Sequence, residues 1–272
     1  MKLNIHFHGI IYYNVIKILE VSLVSTKIIQ ITDLHLNKSR ELLVNGVNTY
    51  DSANSVLNEI QNNEKDADCL ILSGDLSNDC SSESYEHLMI LLKSIKLPIY
   101  LMSGNHDSPS LLRKISNSNN VHFKSFNAFQ NWGVFMFNTK KHNSPNGILN
   151  QNELLYFDKI LKDKFYKNII IFLHHHPVLI GSASMDKMVI ENADLLISRI
   201  KKSNKVRAVC WGHVHTEYYQ TIGSVELFST PSTCYQAKEK SKDFIIDNKA
   251  SPGYRKIKLN ADGSINTEVV RI

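Results

Sequence analysis

Cysteine is scarce in this chain. Four of them, Cys69, Cys80, Cys210 and Cys234, are spread over 272 residues with no CxxC pair, which argues against a disulfide framework and against a thiolate zinc site. Two lie in or beside apolar runs and read as reduced core thiols, so a reducing, cytoplasmic setting is expected. Long apolar runs are missing too. The stretch from Ile10 to Val24 is interrupted by Lys17 and Glu20, stops short of the roughly 20 apolar residues that span a bilayer, and lacks the uncharged core and cleavage site of an export signal. Residues 1–25 are therefore expected to be an N-terminal extension of uncertain role, or one added strand, and no membrane association is expected. The charge of +5 would suit an anionic ligand, but Lys and Arg are scattered and form no basic stripe. Lys238, Lys240 and Lys242 alternate with Glu239, Ser241 and Asp243 as in a solvated loop, so nucleic acid is not an expected partner. Repeats, low-complexity tracts and Pro/Gly/Ser-rich linkers are absent as well. Residues 26–272 are expected to form one domain, with Asn117 to Asn120 as a loop.

What the chain does hold is the composition of a globular protein, 43% hydrophobic and 21% charged, arranged as short β-rich runs alternating with helical patterns. Strands are expected at Lys27 to Thr32, Cys69 to Ser73, Ile99 to Met102, Asn168 to Leu173 and Val206 to Trp211. Apolar residues at three-to-four spacing predict amphipathic helices over Ser52 to Asn62, Ser82 to Ile95, Gln151 to Asp163 and Ala193 to Lys202. Trp132 to Phe137, Tyr218 to Ile222 and Val225 to Phe228 read as further strands, expected to be antiparallel. An α/β fold with two β-sheets packed between helices accommodates them all.

Directly after five of these strands comes a polar cluster: Asp33-Leu34-His35, Gly74-Asp75, Gly104-Asn105-His106-Asp107, His174-His175-His176-Pro177 and Gly212-His213-Val214-His215. Residues remote in sequence converge at the carboxyl ends of strands in open α/β sheets. Asp, Asn and His offer oxygen and imidazole donors suited to Fe, Mn, Zn or Co. A glycine precedes Asp75, Asn105 and His213, where a missing side chain would let the backbone turn sharply. Taken singly, each cluster has an ordinary structural reading as a turn, a polar loop or a strand end. Together, each at a strand exit, they point to a metal centre.

This ordered set resembles the calcineurin-like metallophosphoesterase superfamily over roughly Lys27 to Thr216. Gly74 to Asp79, the triple histidine before Pro177, Thr230 to Gln236 and Pro252 to Arg255 are further similar to the bacterial class III cyclic-nucleotide phosphodiesterases. The resemblance implies a four-layer α/β/β/α sandwich of two mixed sheets flanked by helices. It also implies two divalent metal ions: Asp33, His35 and His215 on one, Asn105, His175 and His213 on the other, and Asp75 bridging both. His175 is chosen within the triplet because the family's ligand stands two residues before the proline. His174, His176, Asp79 and Asp107 are expected to support the ligands. Ser103 departs from the proline that many relatives carry at that position.

The activity implied is hydrolysis of 3',5'-cyclic AMP, or a related cyclic nucleotide, to the 5'-monophosphate by a metal-bridging hydroxide, with metals about 3.5–4 Å apart activating the water and clamping the phosphate. His106 is expected to protonate the leaving oxygen as the catalytic residue, and His35, Asn105, His106 and His215 to contact substrate. A homodimer is compatible with these expectations. Rival readings are a metallophosphoesterase acting on another phosphodiester or a nucleotide pyrophosphate, and a metal-free scaffold on the same fold. Substrate choice is expected to lie in loops around His142 to Ile148 and Ser182 to Val189.

Overall fold

Side chains alternate faces along a strand, and in the computed structural model, which describes residues 25–116 and 120–272, that alternation sorts the apolar residues into three cores. The first sheet has the order β14 (Ile265–Arg271), β13 (Gly253–Leu259), β1 (Thr26–Ile31), β4 (Cys69–Ser73), β5 (Ile99–Met102), β6 (Val121–His122). The second runs β11 (Tyr218–Ile222), β12 (Val225–Ser229), β10 (Val206–Trp211), β9 (Asn168–Phe172), β8 (Trp132–Met136), β7 (Phe126–Phe129). Ile28, Ile71 and Met102 from one sheet meet Ile170, Phe172 and Cys210 from the other in a core between the sheets.

The outward-facing residues bury against helices. Ile29, Ile31, Leu70 and Leu72 form a core with helices α1 (Thr49–Asn63), α2 (Ser82–Leu92) and α3 (Pro109–Ile115). Ile169, Ile171, Val209 and Trp211 do the same with α4 (Gln151–Lys162) and α5 (Ala193–Lys202). The layers are thus α/β/β/α, as expected. Four helices start on a polar cap: the side chains of Asn48, Ser81, Ser108 and Asn150 each accept a first-turn N–H, a contact that stabilises by about 1 kcal/mol.

Both sheets are mixed. β1, β4, β5 and β6 run parallel, and β13 is antiparallel to β1 and to β14. In the second sheet β8, β9, β10 and β12 are parallel, with β7 and β11 antiparallel at the edges. The expectation of antiparallel pairing for the Trp132 and Val225 segments therefore holds on one side of each only. On its other side each strand lies parallel to a crossover neighbour, an arrangement that local pattern cannot reveal. Helix α2 stops at Leu92, three residues before Ile95, where Lys93 caps it. A two-residue hairpin, β2 (Leu43–Val44) with β3 (Val47–Asn48), turns through Asn45 and Gly46. The strand considered for residues 1–25 falls outside the described residues except at Ser25, and the loop at 117–120 except at Asn120. Among the described residues no helix is long and apolar enough to cross a membrane.

Candidate metal centre

The strand exits are stitched together by main-chain hydrogen bonds. Asp33 N–H donates to the Gly74 carbonyl at 3.0 Å and His35 N–H to the Asp75 carbonyl at 2.9 Å, joining the ends of β1 and β4. Gly212 N–H donates to the His174 carbonyl at 3.2 Å, joining β10 and β9. His213 N–H reaches across the sheets to Asp33 Oδ2 at 2.8 Å. Asp33, His35, Asp75, His213 and His215 all adopt left-handed backbone with φ of 54°, 49°, 50°, 67° and 51°, a region non-glycine residues seldom occupy.

Of the three preceding glycines, one makes the expected sharp turn and two do something else. Only Gly74 has positive φ, at 103°. At Gly104 a Cβ would stand 2.1 Å from Asp75 Oδ1, and at Gly212 a Cβ would stand 1.9 Å from Thr32 Oγ1. These two positions are bare because a neighbouring strand exit occupies the space, while the turn itself falls on the polar residue after the glycine in Gly74-Asp75 and Gly212-His213.

Around Asp33 three donors face one another. Asp33 Oδ1 is 3.4 Å from His215 Nε2 and 3.9 Å from His35 Nε2, and the two imidazole nitrogens are 3.2 Å apart. His215 Nδ1 donates to the Tyr235 carbonyl at 2.9 Å, which turns its Nε2 toward Asp33; burial pulls this imidazole down, but the Asp33 carboxylate lifts it above its usual value. Asp33 Oδ1 is buried with no hydrogen-bond partner of its own, an unusual state for a buried carboxylate oxygen. Asp75 lies between this group and the next: Oδ2 is 3.7 Å from His35 Nε2 and 3.3 Å from His174 Nε2, and Oδ1 accepts the His106 N–H at 2.9 Å.

On the far side of Asp75, Asn105 Oδ1 lies 3.2 Å from His174 Nε2, and His213 Nε2 is buried without a partner. The histidine triplet is arranged unevenly. His174 lies between Ser73 and Asp75, its Nδ1 2.9 Å from the Ser73 carbonyl. His175 packs 4.7 Å from His213 between ring centroids, but its nitrogens contact Thr139 Oγ1 at 2.8 Å and the Pro145 carbonyl at 3.1 Å. His176 stacks on His213 and is 3.7 Å from Asp186. Ligand-type atoms of Asp33, His35 and His215, of His174, His175 and His213, of Asp33, Asp75 and His174, and of His35, Asp75 and His106 form four groups, each within 4.8 Å.

Burial and neighbouring charges set the protonation of these groups. Desolvation drives His175 and His213 well down, and takes His35 down to about 4 despite the Asp75 and Asp33 carboxylates, so all three offer neutral imidazoles. For Asp75, burial favours protonation but the histidines His174 and His35 outweigh it and hold the carboxylate well below its usual range. His174 is opposed by burial yet lifted to about 9 by Asp75. Buried carboxylate oxygens and imidazoles, of which Asp33 Oδ1, His35 Nδ1 and His213 Nε2 lack partners, together with the partly exposed Asn105 amide, fit a pair of divalent cations and include no thiolate.

His106 is the exposed member. Its Nδ1 is 2.9 Å from the Asn78 carbonyl and its ring stands edge-on to His35 at 5.0 Å, so Nε2 is the nitrogen left for solvent or substrate. Asp107 accepts the N–H groups of Leu76, Ser77 and Gly104 at 2.9–3.1 Å and the Tyr85 hydroxyl at 3.1 Å, tying two exits together. Asp79 accepts Lys38 N–H at 2.9 Å. Of the two loops expected to shape specificity, the one from His142 to Ile148 packs Gly147 and Pro145 against His175, and the one from Ser182 to Val189 brings Asp186 near His176. Tyr235, which stacks on His215 at 4.5 Å, was not anticipated. The only signal was its position in the Thr230 to Gln236 segment.

Comparison with known proteins places the chain. The profile of the family described as calcineurin-like phosphoesterase matches residues 26–217. A 3',5'-cyclic-nucleotide phosphodiesterase of Nostoc sp. is 34% identical over 245 residues, covering 90% of this chain and 92% of that protein. The 3',5'-cyclic adenosine monophosphate phosphodiesterase CpdA of Escherichia coli (strain K12) is 31% identical, covering 90% of each. In structure, a dimetal phosphatase from Danio rerio is similar with a TM-score of 0.63 at 13% identity, covering 90% of this chain and 98% of that one, a likeness of fold. The chain belongs to the calcineurin-like phosphoesterase family.

Proposed function

We propose that this chain is a dinuclear-metal phosphodiesterase that hydrolyses 3',5'-cyclic AMP, or a close cyclic nucleotide, to the 5'-monophosphate. The observation that carries it is the meeting of two buried donor groups on either side of the Asp75 carboxylate, in a chain that aligns over nine-tenths of its length with cyclic-nucleotide phosphodiesterases. Asp33, His35 and His215 would hold one cation, Asn105, His175 and His213 the other, with Asp75 shared. The spacing to Pro177 supports His175 over His174; to serve, one of its nitrogens gives up Thr139 or Pro145. When bound, two divalent cations, for which we favour Fe, Mn, Zn or Co, supply a water acidic enough to ionise near neutral pH and neutralise phosphate charge.

The chain's own residues do the rest. Asp75 is oriented by the His106 N–H on its Oδ1, while its Oδ2 faces His35 of one donor group and His174 of the other. His106, with Nδ1 committed to Asn78, turns Nε2 outward. Protonated there, it is placed to hand a proton to the departing ribose 3' oxygen, a contribution typically of about 10²–10⁴-fold. His35 lies beside His106 and His215, and His35, His215 and Asn105 would contact the phosphate. All four cysteines are free thiols, which supports a cytoplasmic setting.

A turnover panel with Mn²⁺ tests the reading: cyclic AMP, cyclic GMP, 2',3'-cyclic nucleotides, a dinucleotide polyphosphate and a glycerophosphodiester. Cyclic AMP is expected to be hydrolysed. Hydrolysis of the last two alone would refute the cyclic-nucleotide assignment while leaving a phosphoesterase.

A further inference from the structure

Tyr235 and Phe244 form an aromatic wall beside the first donor group. The segment after β12 is pinned under the site: Thr233 N–H donates to the Thr32 carbonyl at 3.0 Å, Ser232 Oγ to the Asp33 carbonyl at 2.9 Å, and Ala237 N–H to the His215 carbonyl at 2.9 Å. Tyr235 is thereby held in a stack, 4.5 Å from His215 at 17° and 5.5 Å from His35 at 30°. The chain then loops out and returns. Lys238 N–H donates to the Ile245 carbonyl at 2.8 Å and Ala237 pairs with Ile246, which fixes Phe244 at the closing end of the loop. Its ring stands perpendicular to the stack, 6.3 Å from Tyr235 and 6.4 Å from His215. Tyr235 is nearly covered, but Phe244 keeps 41% of its surface open and Ile245 keeps 47%.

A large ring held by backbone pairing, beside a buried stack that ends on a phosphate-facing histidine, is poised to receive something flat and apolar attached to that phosphate. We propose that Phe244, backed by Tyr235, is the nucleobase contact of this site. This rests on the cyclic-nucleotide reading above. The alternative of an isolated exposed side chain is common on protein surfaces; what sets Phe244 apart is its ring contact with His215 itself. Aromatic stacking accepts any base, so Phe244 would favour nucleotides over base-free diesters without separating cyclic AMP from cyclic GMP.

The test compares kcat/KM for cyclic AMP, cyclic GMP and methyl riboside 3',5'-cyclic phosphate, which keeps the reacting ring and lacks a base. In Phe244→Ala the preference for cyclic AMP over the methyl riboside should fall by about tenfold or more, the scale of a lost base stack. The cyclic GMP preference should fall in step, and Phe244→Tyr should retain both. An unchanged preference ratio in Phe244→Ala, with the wild type active on cyclic AMP, overturns this inference alone. Wild-type protein that cleaves neither cyclic nucleotide overturns the functional reading and this inference with it.

Discussion

Replacing Gly104 by alanine isolates the geometry of the centre from backbone strain, because Gly104 is not in the left-handed region and alanine meets no conformational objection there. The added methyl would sit 2.1 Å from Asp75 Oδ1, 2.5 Å from Asp75 N and 2.6 Å from His174 Nε2, against an ordinary contact of 3.4–4 Å. None of the three is a loose side-chain end: Asp75 N is main chain, the carboxylate is held by the His106 N–H at 2.9 Å, and the His174 ring is held at the Ser73 carbonyl at 2.9 Å. Something must therefore move by about an ångström. Overpacking of this kind costs about 1–3 kcal/mol, a fall in Tm of roughly 2–10 °C for a chain of this size. A misplacement of that size at a reacting centre costs about 10²-fold in rate. Gly223→Ala is the control. Gly223 has φ of 61° and nothing within 4 Å of a Cβ, so alanine costs about 1–2 kcal/mol of backbone strain and leaves turnover intact. Thermal unfolding, bound metal and kcat measured on both variants check the reasoning. A Gly104→Ala protein with wild-type metal and kcat would refute the placement of Asp75 against that glycine.

The ligand assignments separate by metal content: Asp75→Ala should lose both metals and activity, His175→Ala one metal equivalent, and His106→Ala neither metal but turnover by about 10²–10⁴-fold; two equivalents retained in His175→Ala, with one lost in His174→Ala, would reassign the second site. Glu153, where burial raises the carboxyl above its ordinary 4.5 against hydrogen bonds from Ser125 and Asn138, binds its proton more tightly folded than unfolded, so its contribution to stability is greatest below pH 4.5 and falls as pH rises through the raised value. Glu153→Gln should remove that decline in a series of unfolding curves taken upward from pH 4, and an unchanged slope would count against the burial argument.

The strands that carry the donors were legible because each is a run of β-branched or large apolar residues ending abruptly in Asp, His or Gly, a contrast that survives without coordinates. β13 and β14 were missed. Gly253–Leu259 carries Arg255, Lys256 and Lys258 within the run, so its charge masks an alternation in which Ile257 and Leu259 face the core between the sheets while Tyr254 faces the helices. Spacing to a proline measures distance along the chain but not the direction of a side chain, which is why the triplet left His174 pointing at Asp75 and Asn105 unforeseen. Tyr235 and Phe244 were invisible for a similar reason. Their meaning comes from a loop closed by Lys238 and Ile245 and from a contact with His215 across twenty residues or more, neither of which leaves a local pattern.

The recurrence of glycine before a donor residue acquires a physical reason from these exits. Asp75 and His213 must supply both the donor and the left-handed turn, and glycine at either position would ease the turn but remove the donor. The strain, about 1–2 kcal/mol for each left-handed residue, is instead held in place by neighbours: Thr32 Oγ1 and His213 N–H on Asp33, Tyr235 on His215, His106 N–H on Asp75. The residue before each of Asp75 and His213 has no room for a Cβ, which at Gly74 would meet His174 and at Gly212 would meet Thr32 and Asp33. The glycine and the donor are thus two halves of one constraint, since the first makes the space through which the second is held. Function-bearing strain of this kind persists only where the surroundings over-determine it, and at Gly212 the surroundings come from the opposite sheet, in Thr32 and Asp33. The packing of one sheet on the other is therefore part of the centre, and a change that slides the sheets apart should loosen the donors before it unfolds either layer.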